Sequence, residues 1–153
     1  DREVINLGFS GNALLDMEIA ELMASVDDPG LYVLDYVPNA SADAIDQVGE
    51  HFFRIIRDAH PEVPVVFIED VIFPHTIFDN KILEEVTKKN VAQKRLFKKL
   101  KQSGEKRIYY ISAEGMIGDD GEATVDAIHF TDLGAMRYVD HVLPLIKRAL
   151  RCH

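Results

Sequence analysis

The chain has 153 residues, 17 Lys and Arg against 26 Asp and Glu, a formal net charge of −9 and 47% hydrophobic residues. This predicts one folded domain rather than a disordered chain, and the acidic balance argues against a general nucleic-acid binder. A single cysteine, Cys152, excludes an internal disulfide framework, and no apolar run reaches the roughly 18–20 residues of a membrane span.

Short β-rich runs alternate with longer helical segments along the chain. Residues 4–7 are predicted to form a strand that ends at Gly8. A helix follows, with Asn12 as a candidate N-cap. Its predicted buried face has helical spacing and comprises Leu15, Ile19, Leu22 and Val26. Residues 31–34 are predicted to be the second strand.

The middle of the chain repeats the same alternation. Ser41 is predicted to cap a second helix, which ends before Pro61. Residues 63–68 are nearly all apolar, which is typical of a strand covered by helices on both faces. A long connection, 69–80, is rich in large apolar residues and leads to a third helix over 81–103.

The last third supplies a fourth strand, a long loop and a final helix. The strand is predicted at 107–111 and the loop at 112–131. The final helix is predicted over 132–150, with a kink at Pro144. Its predicted buried side comprises Leu133, Met136, Val139, Val142, Leu143 and Ile146. The alternation predicts the α/β class, with a parallel sheet and helices on both faces.

Parallel sheets usually bind ligands in the loops after the carboxyl ends of their strands. Residues 8–12 offer backbone N–H groups at a helix N-terminus, which can bind an oxyanion. Asn39 offers a side-chain amide. Asp126 stands three residues before His129, and such a carboxylate can make the imidazole a general base. Taken singly, each pattern is also common as loop packing, a self-held turn or surface polarity.

The order of these patterns resembles the SGNH hydrolases, also called the GDSL esterase and lipase family. Residues 5–12 resemble the family's second block, which places Gly11 at an oxyanion-hole position. Residues 33–39 resemble the third block, with Asn39 as the second donor, although Pro38 stands where the family usually has another residue before this Asn. Residues 126–134 resemble the last block, with its Asp-x-x-His.

This resemblance implies a flavodoxin-like, three-layer α/β/α fold that takes in residues 1–153 as one domain. It implies a serine ester hydrolase that acts on small or carbohydrate-linked acyl esters. Asp126 and His129 would be catalytic, Gly11 and Asn39 would form the oxyanion hole, and neither a metal nor an organic cofactor would be required. Residues 117–126 resemble a bacterial subgroup of the family, which suggests an exported, periplasmic or extracellular protein.

The family's nucleophilic Ser lies on a first strand that precedes the second block. By resemblance, that strand and its helix are expected upstream of Asp1. Ser10 imitates the nucleophile motif in Gly8-Phe9-Ser10, but its 29-residue separation from Asn39 fits the spacing of the second and third blocks. Ser10 is therefore expected to lie near the substrate pocket without being the attacking group.

The connection 69–80 holds three further candidates. His75 lies among apolar residues on the expected active-site edge and could line the substrate pocket, or it could simply cover the end of the sheet. Glu69 and Asp70, at the end of the third strand, could bind substrate hydroxyls or a metal, but a salt-bridged loop anchor is the better default.

Charge is unevenly distributed, since residues 81–107 carry ten Lys and Arg against three Glu. This basic helix could bind anionic lipid or an acidic partner, or it could be a solvated face that balances an acidic body. The expected partner is a small ester, and the sequence does not indicate an oligomeric state.

Two other functions compete with the hydrolase. One is a non-catalytic α/β module of degenerate SGNH fold that binds a ligand or partner at the same edge. The other is a receiver domain with Asp35 as phospho-acceptor. The receiver is disfavoured because Ser112-Ala113-Glu114 follows the last predicted strand, where that class needs a Lys.

Overall fold

The computed structural model describes residues 2–151, so the sequence inferences on Asp1, Cys152 and His153 lie outside the described residues. The helices, in chain order, are α1 (Met17–Ala24), α2 (Ala42–Ala59), a short 3-10 helix (Pro74–Ile77), α3 (Asn80–Gln102) and α4 (Asp132–Arg151). The strands are β1 (Tyr32–Leu34), β2 (Val65–Ile68) and β3 (Ile108–Ile111). The predicted α/β class is confirmed.

The three strands form one parallel sheet in the order β1-β2-β3. In the centre, β2 pairs Val66 with Val33 of β1 on one side and with Tyr109 of β3 on the other. All four residues of β2 are buried, as its apolar sequence predicts for a strand covered on both faces. The carboxyl ends of all three strands therefore meet at one edge of the sheet.

Two apolar clusters lie on opposite faces of this sheet. Val65 and Phe67 of β2 belong to the cluster that also contains residues of α1, α2 and α3. Val66 and Ile68 point to the other face and pack with residues of α4. Because side chains alternate along a strand, β2 supplies both clusters at once. The result is the predicted α/β/α layering.

Local capping sets the bounds of α2 and α3. Ser41 precedes α2, and its hydroxyl accepts the backbone N–H of Ala44 at 3.1 Å, which confirms the predicted cap. α3 begins after Asp79, whose carboxylate accepts from the N–H groups of Lys81 and Ile82. Gly104 follows α3 with φ of +94°, in the left-handed region that glycine favours after a helix.

Two expectations about the N-terminal region are wrong. Residues 4–7 form no strand, and the side chains of Val4 and Ile5 are 84% and 57% exposed. The described sheet therefore has three strands instead of four, because a strand needs a neighbour to take its backbone hydrogen bonds. Asn12 does not cap α1, which begins after Asp16.

The predicted buried side of α4 is correct only for its second half. Val142 is buried and Ile146 packs against the apolar cluster, but Leu133, Met136 and Val139 are exposed. Their spacing does form one stripe of the helix, yet the three described strands do not reach beneath it. α4 continues as one helix through Pro144, and the predicted kink stays a prediction.

Part of the basic charge on α3 is paired with acidic residues of α2. Arg95 forms an ion pair with Asp46 of α2, and Lys99 lies 2.6 Å from Glu50 of the same helix. These contacts favour the reading of α3 as a face that balances an acidic body. Within residues 2–151, no helix is long and apolar enough to cross a membrane.

Candidate active site

The candidate site lies on the loops that follow the three strand ends. Residues 35–41 follow β1, residues 69–79 follow β2 and residues 112–131 follow β3. Since the strands are parallel, these loops emerge at the same edge of the sheet. Residues 8–12, predicted to follow a strand as well, instead belong to the irregular segment before α1.

Asp126 and His129 lie in direct contact, as the sequence predicts. Asp126 Oδ2 lies 2.6 Å from His129 Nδ1, while Oδ1 accepts the backbone N–H groups of Ile128 and His129 at 3.0 and 2.7 Å. The imidazole and these two amides hold the pKa of Asp126 well below its usual range, at about 2. The carboxylate is therefore ionised at neutral pH and favours the tautomer of His129 that carries its proton on Nδ1.

The other ring nitrogen of His129 is open to solvent. The side chain is 78% exposed, and no group within residues 2–151 forms a hydrogen bond with Nε2. With Nδ1 protonated, Nε2 carries the free lone pair of a neutral imidazole. The pair of Asp126 and His129, called the dyad below, can thus accept a proton from a hydroxyl or water placed beside Nε2.

The dyad lies inside a short loop that is closed by a pair of facing residues. Thr124 and Phe130 form an antiparallel bridge, and the N–H of Val125 donates to the carbonyl of His129 at 2.8 Å. Below the bridge, Gly134 lies against the carbonyl of Ala123, so that a Cβ atom there would be 2.0 Å from this oxygen. Glycine is required at this point for the loop to rest on α4.

The earlier part of the same loop is tied to α4 by Arg137. Its two terminal nitrogens donate to the two carboxylate oxygens of Asp120, each at 2.7 Å, and Nη1 also donates to the carbonyl of Ile117 at 3.1 Å. The guanidinium holds the pKa of Asp120 well below its usual range. The sequence carries no signal for this pair, because the partners are 17 residues apart and belong to different elements.

The two predicted oxyanion donors are exposed. Gly11 has φ of +69° in a turn closed by the N–H of Asn12 on the carbonyl of Phe9. Asn39 lies in the turn after β1, where its backbone N–H donates to Tyr36, and its side-chain amide has no hydrogen-bond partner in the described part of the chain. Neither residue forms a hydrogen bond with the dyad.

Ser10 and His75 likewise form no hydrogen bond with Asp126 or His129. Ser10 is exposed, and its carbonyl accepts from the side chain of Asn12 at 2.8 Å. His75 lies in the 3-10 helix with its ring centroid 5.7 Å from that of Phe73, a buried residue. This ring contact favours the reading of His75 as cover for the end of the sheet.

Glu69 and Asp70 anchor loops by hydrogen bonds rather than salt bridges. Glu69 accepts from the hydroxyl of Tyr110 at 2.5 Å and from the backbone N–H of Ala113 at 2.8 Å, which fixes the start of the loop after β3. The backbone of Asp70 exchanges two hydrogen bonds with the side chain of Asn90 on α3, each 2.8 Å long. Among the described residues, no group of three or more His, Cys, Asp or Glu side chains could hold a metal ion.

Asp35, the residue that a receiver domain would phosphorylate, accepts a hydrogen bond instead. The hydroxyl of Tyr138 on α4 lies 2.5 Å from Asp35 Oδ2, a contact between residues 103 positions apart. Partial desolvation raises the pKa of Asp35, against the lowering effect of this hydrogen bond. The contact ties the end of β1 to the middle of α4.

We expect Asp70→Asn to stabilise the protein above about pH 6. Burial is the main cause that raises the pKa of Asp70 from 3.8 to about 6, with Lys89 opposing it and Asp35 adding to it. The Asp70 carboxyl thus binds a proton more tightly in the folded state than in the unfolded state, so its contribution to the free energy of unfolding falls as pH rises from about 4 to 6, by on the order of 2 kcal/mol. Asparagine cannot ionise and removes this loss.

Chemical denaturation at pH 4 and pH 7 measures the effect. Relative to the parent protein, the variant should gain more unfolding free energy at pH 7 than at pH 4, while its backbone bonds to Asn90 are retained. Asp140→Asn replaces an exposed carboxylate on α4 and serves as the control. Equal pH dependence in the Asp70 variant and the parent protein would contradict the assignment.

The comparisons with known proteins agree with the observed α/β fold. A family model described as the GDSL-like lipase/acylhydrolase family matches residues 1–147. A solved protein of Bacteroides ovatus described as a GDSL-like lipase is 33% identical, with a TM-score of 0.91 over 96% of this chain and 43% of its own. No curated protein matches the chain.

A second solved structure agrees in fold alone. It is the salicylyl-acyltransferase SsfX3 from a tetracycline biosynthetic pathway, at 17% identity and a TM-score of 0.67 over 88% of this chain. The chain spans 43% and 41% of the lengths of these two structures, which is less than half of either. The family model matches residues 1–147, nearly the whole chain, and on this match the chain belongs to the GDSL-like lipase/acylhydrolase family.

Proposed function

We propose that this chain supplies the base and the oxyanion hole of a serine ester hydrolase. The observation that carries the proposal is the 2.6 Å contact between Asp126 and His129, with Nε2 of the imidazole open to solvent. Membership of the GDSL-like lipase/acylhydrolase family supports ester hydrolysis or acyl transfer as the general class of reaction. The chemistry uses only protein groups and needs no cofactor.

The proposed mechanism has two halves. His129 Nε2 takes the proton of a serine hydroxyl, which attacks the ester carbonyl, and Asp126 stabilises the imidazolium that forms. The N–H of Gly11 and the side-chain amide of Asn39 stabilise the oxyanion of the tetrahedral intermediate. His129 then returns the proton to the leaving alcohol, and water, activated in the same way, releases the acyl group.

The nucleophilic Ser is proposed to lie on a segment that precedes residue 1. The outer side of β1 has no strand paired to it in the described sheet, and Val33 at its centre is 41% exposed. Nearby in sequence, the segment before α1 exposes the apolar side chains of Val4, Ile5 and Phe9. A further parallel strand beside β1 would cover this edge, and its carboxyl end would lie on the same edge of the sheet as the loop that carries Asp126 and His129.

Hydrolysis of p-nitrophenyl acetate by the complete protein tests this proposal. We expect activity in the complete protein, loss of that activity when an upstream Ser is replaced by Ala, and little change in Ser10→Ala. If the 153-residue chain is fully active by itself and Ser10→Ala abolishes that activity, Ser10 is the nucleophile. Absence of activity from the complete protein towards a panel of acyl esters would favour the non-catalytic binding module.

The substrate class and location are narrower parts of the proposal. We take small or carbohydrate-linked acyl esters as substrates, and export to the periplasm or the cell exterior, from the resemblance to the bacterial subgroup. The exposed position of His129 is compatible with an ester presented at the surface of a larger molecule. Comparison of kcat/KM for acetylated sugars and p-nitrophenyl acetate tests the substrate class.

A further inference from the structure

Arg137 makes the most extensive set of side-chain contacts between α4 and the loop that bears the dyad. It reaches Asp120 with two hydrogen bonds and the carbonyl of Ile117 with a third. A guanidinium that binds a carboxylate in this two-pronged way fixes direction as well as distance, which a Lys ammonium cannot do. None of the proposed catalytic steps uses this residue.

We propose that Arg137 is a positioning residue, which holds the loop through Asp120 so that His129 keeps the orientation required of the base. The inference rests on the proposed hydrolase function. Arg137 forms no hydrogen bond or ion pair with Asp126 or His129, and in this proposal it acts on them through the intervening backbone.

A series of hydrogen bonds links the ion pair of Arg137 and Asp120 to segment 122–131, which carries the dyad. Asp120 Oδ1 accepts the backbone N–H of Glu122 at 3.1 Å, and the carbonyl of Glu122 accepts the hydroxyl of Thr131 at 2.9 Å. The same hydroxyl accepts the N–H of Gly134 in the first turn of α4. Asp126 and His129 lie between Glu122 and Thr131, so both ends of their loop are fixed relative to the helix.

The backbone beside the guanidinium leaves room for it. Gly118 has φ of +77°, and a Cβ atom at this position would lie 2.9 Å from Arg137 Nη1. The absence of a side chain at Gly118 therefore allows the guanidinium to lie against the loop backbone. A Lys at position 137 would keep the charge but could not bind both oxygens of Asp120 and the Ile117 carbonyl in this geometry.

Because Arg137 and Asp120 are partly exposed, an effect on the orientation of His129 can be told apart from an effect on stability. The side chains of Arg137 and Asp120 are 30% and 46% exposed, and ion pairs this exposed contribute little to stability. A small error in the position of a catalytic group can nevertheless slow a reaction about a hundredfold. A large kinetic effect without a large loss of stability is therefore the signature of positioning.

A matched control lies elsewhere in the same chain. Arg95 of α3 also uses two nitrogens on one Asp, with Nε 3.0 Å from Asp46 Oδ1 and Nη2 on Oδ2. This exposed pair joins α3 to α2 and forms no part of the loop 112–131. Arg95→Lys and Arg137→Lys thus make the same chemical change, one away from the dyad and one beside it.

Steady-state kinetics of the complete protein provides the first test. We expect Arg137→Lys to lower kcat for p-nitrophenyl acetate by about ten- to a hundredfold, with KM changed less than about twofold. Asp120→Asn should have a similar effect, and the double variant should be no slower than the slower single variant, since both break one contact. Arg95→Lys should change kcat less than about twofold.

Amide hydrogen exchange provides a second test, which does not depend on activity. Arg137→Lys should speed exchange at Val125 and His129 relative to the parent protein, and Arg95→Lys should leave it unchanged. Faster exchange at these amides in Arg137→Lys supports the positioning role. If exchange is faster but the parent protein hydrolyses no ester, the proposed function fails and the structural role of Arg137 stands. Equal exchange, with equal kcat in the Arg137 and Arg95 variants of an active enzyme, would overturn the positioning role.

Discussion

Replacement of His129 by Ala in the complete protein should lower kcat for p-nitrophenyl acetate by about 10⁴- to 10⁶-fold. The estimate follows from measured losses when a member of a Ser-His-Asp triad is removed, because the nucleophile then lacks its base. Among the described residues, His129 is the one imidazole that forms an ion pair with a carboxylate, at 2.6 Å from Asp126. Steady-state and single-turnover rates measure the loss.

Asp126→Asn extends the same prediction to the partner. This substitution keeps the shape of the side chain but removes the charge that holds Nδ1 protonated, and a loss of about 10⁴-fold is expected. His51→Ala replaces an exposed imidazole on α2 and is the matched control, with little change in kcat expected. Retention of substantial activity by His129→Ala would rule out the proposed base.

Phe53→Ala should destabilise the folded protein by about 3–5 kcal/mol. Phe53 is fully buried in the apolar cluster beneath α2, and its ring centroid lies 5.8 Å from that of Phe67 on β2. The guanidinium groups of Arg54 and Arg57 also lie over this ring, at 5.6 and 5.3 Å from its centroid. Truncation leaves a cavity and removes all these contacts.

Urea denaturation followed by circular dichroism measures the change in unfolding free energy. Phe78→Ala is the control, because this Phe is 88% exposed and its truncation should change stability by less than about 0.5 kcal/mol. A loss below about 1 kcal/mol in the Phe53 variant would show that this cluster does not hold α2 on the sheet.

Sequence reasoning succeeded where the determining contacts are local. The cap at Ser41 and the apolar β2 depend on residues within a few positions of one another. The contact between Asp126 and His129 likewise spans three residues, so the sequence alone indicates it. Their roles in catalysis stay predictions.

The failures concern contacts between distant segments. Periodicity identifies the stripe of Leu133, Met136 and Val139 on α4, but it does not say whether another element covers it, and in the described structure they are exposed. Residues 4–7 have strand-like composition, yet a strand also needs a paired neighbour. The contact between Arg137 and Asp120 depends on how the loop folds back on α4, which no local pattern encodes.

The tight approach of Gly134 to Ala123 has a consequence for engineering the substrate range. Because the base of the dyad loop is closed at this point, insertions or larger residues at 123 and 134 would displace the whole loop. Val125 and Ile128 lie inside the closed loop with 70% and 56% of their surfaces exposed. A saturation library at these two positions would vary the surface beside His129 while it leaves the supports of the dyad in place.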